Sequence, residues 1–256
     1  MRLEDDLNAT KQRERLPGFL PKWVQERVEV NVYLLNRWVH RAGQMVPAHA
    51  RFLDAGAGEG RFRHEFSHTC YTGVDLAIGD VDWDYSELDT IATLTELPFS
   101  DDTFEASICT QVLEHVTEPY QVLKEIYRTL KPGGRIFLAA PQSWHQHQKP
   151  YDYFRYTSFG FRYLLEKCGF QVESIEPLGG YFWFLSFQLQ NFNYWVFSHR
   201  KHGRTWITLP LRAFFGFAFQ LVLPLILFYL DGLDPVKDET FGFACIAIKP
   251  GAPTIP

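Results

Sequence analysis

Hydrophobic runs and glycine breaks divide the chain into strands, turns and helices. Phe52 and Leu53 form an apolar pair that ends on Asp54, and glycines follow at every second position, Gly56, Gly58 and Gly60. That pattern predicts a buried strand breaking into a tight turn, then a helix over Glu59 to His68. Tyr71 to Leu76, Phe104 to Thr110 and Leu130 to Pro141 read as further strands, and Gln171 to Ile175 as another. Thr240 to Lys249 alternates aromatic and aliphatic residues, as a last strand does. Helical spacing of Trp23, Val24, Val28, Val32, Leu35, Trp38 and Val39 predicts a helix over Lys22 to Arg41, with Pro17 and Pro21 before it and Gly43 after it. Another helix starts at Pro119, with Val122, Leu123, Ile126 and Leu130 on its apolar face, and a further one spans Ser158 to Lys167, closed by Gly169.

Residues 179–238 break this alternation. Tyr181 to Ser198 and Ala213 to Leu230 carry no formal charge, and the second reaches the length of about 18 apolar residues at which a membrane span is considered. A single crossing would leave the last strand across the bilayer from its sheet. Three readings remain: a hairpin, a helix lying in the interface, or a cap on the domain. Gln188, Gln190, Asn191 and Asn193 are costly in hydrocarbon, which makes the hairpin the weakest. Pro224 predicts a kink. Between the segments, the basic run His199 to Arg204 is flanked by Trp195 and Trp206, the dress of a membrane interface or, in the plainer reading, a solvated turn.

The 256 residues suffice for one α/β domain with an insertion. A net charge of -5 offers no basic field, so no nucleic-acid partner is expected. Cys70, Cys109, Cys168 and Cys245 are scattered singly and read as small core residues of a reducing compartment. The charged start of the chain is unlike a secretion signal. Together these place the protein in the cytoplasm, with 179–238 as a surface for peripheral contact at the inner face of the membrane.

The glycine turn is where chemistry enters. Glycines there let a ligand press against backbone and allow positive φ. Asp54 just before the turn would repel a diphosphate but welcome an ammonium or sulfonium group. The stretch from Asp54 to Gly60, D-x-G-x-G-x-G, resembles the first motif of the class I S-adenosylmethionine-dependent methyltransferases. The resemblance extends to Asp75, about 20 residues beyond the first glycine, where an acid that receives the ribose hydroxyls belongs. It extends further to Leu97–Val116 and Leu130–Pro141, which look like the fourth strand and the fifth. It implies a Rossmann-like α/β fold with a seven-stranded sheet, the last strand antiparallel between the fifth and sixth, helices on both faces, and a hydrophobic helical insertion before the last strand. The implied domains are an N-terminal helical segment, 1–48, a methyltransferase domain of 49–178 plus 239–250, and the insertion 179–238.

The implied cofactor is S-adenosylmethionine, held by Asp54, Ala55, Gly56, Ala57, Gly58, Gly60, Asp75, Leu76, Thr93, Leu94, Thr110, Gln111 and His115. Thr93 stands where many relatives carry an Asp that meets the adenine amino group. The helix over Lys22 to Arg41 either covers the cofactor or simply packs. Trp83 and Tyr85, in the short acidic segment 77–89, line a pocket or cover the sheet edge. Gln111 replaces the first acid of the E-x-x-E-H arrangement by which some relatives hold a divalent ion, so no metal is expected at Glu114 and His115.

Residues 141–170 are similar to a subset of the type-11 methyltransferases, found with cell-surface glycan genes, that carry H-x-x-P-x-D-x-x-R-Y-T. His145, His147 and Asp152 are the candidate catalytic bases for a hydroxyl acceptor, with Tyr153 and Arg155 as candidate substrate contacts. An Asp152–Arg155 pair, with Tyr156 and Thr157 starting a helix, would instead make a rigid corner. The resemblance implies methyl transfer by direct displacement to a small-molecule or lipid-linked acceptor, a glycan hydroxyl first. A quinone-like acceptor, or a membrane-associated cofactor-binding module without catalysis, are the alternatives.

Overall fold

The computed structural model describes residues 20–79, 83–197 and 208–251, with the side chains of 193–197, 208, 209 and 212 left aside. The readings placed on residues 1–19, on the side chains of Trp195 and Asn193, and on the run His199 to Arg204 with Trp206 lie outside the described residues.

The described residues form two compact units, one of 37–176 with 242–251, the other of 177–241 with 20–36. The first is built on a seven-stranded sheet: β1 Arg51–Ala55, β2 Cys70–Asp75, β3 Thr90–Ile91, β4 Phe104–Thr110, β5 Leu130–Pro141, β6 Gln171–Pro177 and β7 Gly242–Ile248, in the order β3-β2-β1-β4-β5-β7-β6. β1 pairs in parallel with β2 and β4, and β4 with β5, while β7 runs antiparallel to β5, with Leu138 opposite Cys245. The Rossmann-like fold that the resemblance implies is the one observed.

Phe52, Leu53, Ile108, Phe137, Leu138 and Ala139 are fully buried. Strands covered on both faces have no polar side to show, which is why they read as continuous apolar runs. α1 Lys22–Val28 and α2 Val30–Gln44 replace the single helix expected there. Glu29, at φ -92° and ψ 52°, interrupts it, and the freed Val28 carbonyl accepts instead from Gln190 Nε2 at 2.8 Å. α2 buries Trp38 edge-on to Phe137. α3 Pro119–Thr129 buries Val122, Leu123 and Ile126 as expected, and Leu130 begins β5. In α4 Ser158–Cys168, Thr157 caps the start by accepting from Gly160 N, and Gly169 closes the end at φ 98°.

The helix expected over Glu59 to His68 is reduced to a 3-10 turn, Arg63–Phe66. Gly60 sits at φ 70°, and i to i+3 bonds from Gly60 N to Ala57 O and from Arg63 N to Gly60 O use the groups a helix would need. Cys109 and Cys245 are core residues, but Cys70 is exposed at the start of β2, contrary to expectation.

The second unit is helical, containing α5 Tyr181–Phe197, α6 Thr208–Phe217 and α7 Leu223–Leu230. A π turn, Ala218–Val222, joins α6 to α7 ahead of Pro224, where a wide turn tolerates the missing proline N–H. Asp231 anchors α5: it is buried, accepts from Gly180 N and Trp183 N, and meets Lys237 Nζ at 3.0 Å.

Candidate functional site

The carboxyl ends of β1, β2, β4 and β5 bring the chemistry together within the first unit. At the end of β1, Gly56 has φ 88°, and a Cβ there would meet Val112 Cγ2 at 2.3 Å. Its N–H and that of Ala57 donate to Val74 O, so the turn is stapled to β2. Gly58, at φ 54°, leaves room for the Trp83 ring, 3.1 Å from where its Cβ would stand. Trp83 thus lies against the turn, while the Tyr85 hydroxyl accepts from Gly79 N at 2.6 Å.

Asp75 ends β2 half-buried, its Oδ2 accepting from Gly58 N at 3.0 Å and its Oδ1 from Ala77 N at 2.8 Å. Each oxygen keeps a lone pair, so two adjacent hydroxyls can still donate to the carboxylate. Asp54 is buried, 4% exposed, and receives the Tyr71 hydroxyl at 2.6 Å. Burial pushes its carboxyl up to about 7; the Tyr71 hydrogen bond opposes this and the charge of Asp75 adds to it. Tyr71 is a partner that strand patterning does not reveal, because it comes from the neighbouring strand.

Thr93 is exposed, its hydroxyl 2.8 Å from that of Thr95, and Leu94 is buried beneath it. Leu76 is exposed, and Thr110 ends β4 half-buried. Gln111 follows at φ 55°, its N–H donating to Ala139 O. That left-handed residue turns the chain into the 3-10 segment Leu113–His115.

The loop from Gln142 to Thr157 is clamped to this segment. Tyr153 N donates to Glu114 O at 2.8 Å, and the Tyr156 hydroxyl donates to Leu113 O at 2.8 Å. Within the loop, Arg155 grips both Asp152 oxygens at 2.6 and 2.9 Å, and also donates to the carbonyls of Trp144, His145 and Phe154. Burial acts to raise the Asp152 carboxyl, but the Arg155 and His147 hydrogen bonds outweigh it and hold it below the ordinary range. Asp152 and Arg155 therefore form the rigid corner. Tyr153, 44% exposed, projects from it.

The corner positions His147, whose backbone N–H donates to Asp152 Oδ2 at 2.9 Å. The His147 ring stands nearly perpendicular to that of His115, Nε2 to Nε2 at 3.1 Å, while His145 lies 6.3 Å from His147 between ring centres. Burial, then the nearness of His115, lowers His147 to about 4, so its ring is neutral at pH 7. Glu114, which the sequence reading set aside with Gln111, is fully buried beside them, and burial raises its carboxyl to about 8.

Residues 53–138 match the family model described as a methyltransferase domain. The chain carries a type-11 methyltransferase domain. A ubiquinone biosynthesis O-methyltransferase of Pseudomonas entomophila (strain L48) is 29% identical over 131 residues, 46% of this chain and 48% of that protein. The chain spans about half the length of the curated relatives it matches. Among solved structures, the [4+2]-cyclase SpnF superposes with TM-score 0.56 at 17% identity, over 97% of this chain and 94% of that one. Phosphoethanolamine N-methyltransferase 2 of Haemonchus contortus, solved with S-adenosyl-L-methionine, gives 0.53 at 13%, over 93% and 62%. The cofactor of the methyltransferase domain is S-adenosylmethionine. The residues present fit it: the glycine turn bends through positive φ at Gly56, Gly58 and Gly60, and Asp75 is held at its edge with acceptor capacity to spare.

Proposed function

We propose that the chain transfers a methyl group from S-adenosylmethionine to a hydroxyl of an apolar, membrane-partitioned acceptor of quinol type. The observation that supports O-methylation best is the imidazole pair His115 and His147, the latter held by a salt-bridged corner. When bound, S-adenosylmethionine supplies a methyl group already on a sulfonium leaving group. The chain then has two tasks. It orients the reactants, worth up to about 7 to 11 kcal/mol, and it takes one proton from the acceptor hydroxyl. Orientation falls to the glycine turn and Asp75. Proton removal falls to the imidazole cluster, with Asp152 and Arg155 as positioning residues and Tyr153 available to the acceptor.

Two further observations favour an apolar acceptor. The named Pseudomonas relative acts in ubiquinone biosynthesis, and residues 213–233 form a helix long and apolar enough to cross a membrane, with 11% of its most apolar window buried. Leu211, Phe214, Phe217, Ile226 and Leu233 are all at least half exposed. We read this helix as lying in the membrane interface, because β7 must return to the sheet. A lipid-linked glycan hydroxyl is the second reading, favoured by the loop pattern running from His147 to Thr157.

Incubation with methyl-labelled cofactor and either a demethylated quinol or a lipid-linked glycan fraction separates the two. Label in the quinol supports the first reading, label in the glycolipid the second. Cofactor binding without label transfer to either would leave a binding module.

A further inference from the structure

We propose that Glu114, His115 and His147 form a site for a divalent transition metal of the zinc class. His115 Nδ1 lies 2.6 Å from the Tyr151 carbonyl oxygen, and His147 Nδ1 lies 3.2 Å from that of His145. A carbonyl only accepts, so both Nδ1 atoms carry their ring's proton, and both Nε2 atoms present lone pairs. Those lone pairs face one another at 3.1 Å. Such an arrangement is repulsive unless a proton or a metal ion lies between them. A tetrahedral zinc ion, with Zn–N bonds of about 2.0 to 2.1 Å, holds two nitrogens about 3.3 Å apart.

The third donor completes the case. Glu114 is fully buried, yet neither carboxylate oxygen has a hydrogen-bond partner among the described residues. Its Oε1 is 3.8 Å from His115 Nε2, and the three donor atoms lie within 4.8 Å of one another. A buried carboxylate left unsatisfied is costly, and a cation beside it removes the cost. The outer shell matches that of a metal-bound imidazole: carbonyls fix both tautomers, and Asp152, tied to Arg155, holds the His147 backbone.

Position 111, a glutamine, adds no acid to this set. The donor that Gln111 does not supply comes from His147, on a different loop, and this changes the metal. Two imidazoles and one carboxylate suit zinc, cobalt, manganese or iron, whereas magnesium and calcium demand oxygen ligands. A cation here acidifies a hydroxyl that meets it, replacing the imidazole pair as the agent of proton loss, a role that rests on the O-methyl transfer proposed above. Binding of the ion does not rest on it.

The test uses tag-free, metal-stripped, full-length protein. Titration with Zn2+ alone should give one tight site per chain, not displaced by millimolar Mg2+. His147→Ala and Glu114→Gln should each weaken it at least tenfold, and Gln111→Ala by less than twofold, in variants whose circular dichroism is unchanged. Co2+ added to the unmodified protein should show the intense visible bands of low-coordinate cobalt, a readout that needs no variant. No tight site, affinity indifferent to His147→Ala, or a cobalt spectrum like that of the aqueous ion would overturn the proposal. The cluster would then be a proton-sharing pair, and the methyl-transfer reading would stand or fall by its own label test.

Discussion

Asp54 is the buried acid of the glycine turn, and its environment makes a pH-dependent claim. Its carboxyl titrates near 7 in the folded chain, against an ordinary 3.8. A raised carboxyl favours the protonated fold, so the stability it contributes is full below about 4 and is lost as pH rises through 7. Asp54→Asn keeps an acceptor for the Tyr71 hydroxyl and removes the titration. Relative to the parent, that variant should gain on the order of 2 kcal/mol between pH 5 and pH 7, measured by urea unfolding without cofactor. A constant difference across that range would remove Asp54 as the titrating group. Asp75 makes the complementary claim about binding. Charge-assisted hydrogen bonds to ribose hydroxyls are worth about 1.5 to 3 kcal/mol each, so Asp75→Ala should weaken cofactor affinity at least tenfold by calorimetry. At this scale little of the site was legible. D-x-G-x-G-x-G and Asp75 stand out in the chain, but the Tyr71–Asp54 bond and the His115–His147 contact join residues 17 and 32 positions apart. No local pattern encodes such pairs.

At the scale of elements, the loop between β5 and α4 carries the sharpest question. Arg155 was a candidate substrate contact, yet its donors are directed to Asp152 and three backbone carbonyls. If it is part of the corner, Arg155→Leu leaves Asp152, only 4% exposed, without its charged partner. The expected loss is on the order of 2 kcal/mol, reduced from the cost of a fully buried pair because Arg155 is itself one-quarter exposed. Unfolding curves should show that loss, with cofactor affinity unchanged. Wild-type stability combined with a raised acceptor KM would return Arg155 to the substrate. Strands were the more legible elements, the central ones because burial on both faces writes them as apolar runs, whereas the two-residue β3, Thr90–Ile91, carries no such run and was missed. The helix after the glycine turn and the continuous helix before β1 were misread for particular reasons. Gly60 adopts a left-handed backbone, and Gln190, more than 160 residues away in sequence, takes the Val28 carbonyl.

The whole molecule carries a methyltransferase domain and a helical unit with an exposed apolar helix. Composition alone marked residues 213–230 as unusual but left the hairpin, the interfacial helix and the cap open. The exposure of Phe214 and Phe217, 64% and 63%, supports the interface. Purified protein should float with vesicles, and Phe214→Ser with Phe217→Ser should reduce the bound fraction several-fold. A protein that stays with the soluble fraction at every lipid composition would remove the membrane from the account. Methyl transfer to a hydroxyl is tested by incubating methyl-labelled S-adenosylmethionine with the full chain and a demethylated quinol in vesicles. Label should appear in the quinol as a methyl ether with equimolar demethylated cofactor, and both should be lost in Asp75→Ala at subsaturating cofactor. Tight cofactor binding with no label leaving the cofactor would contradict it.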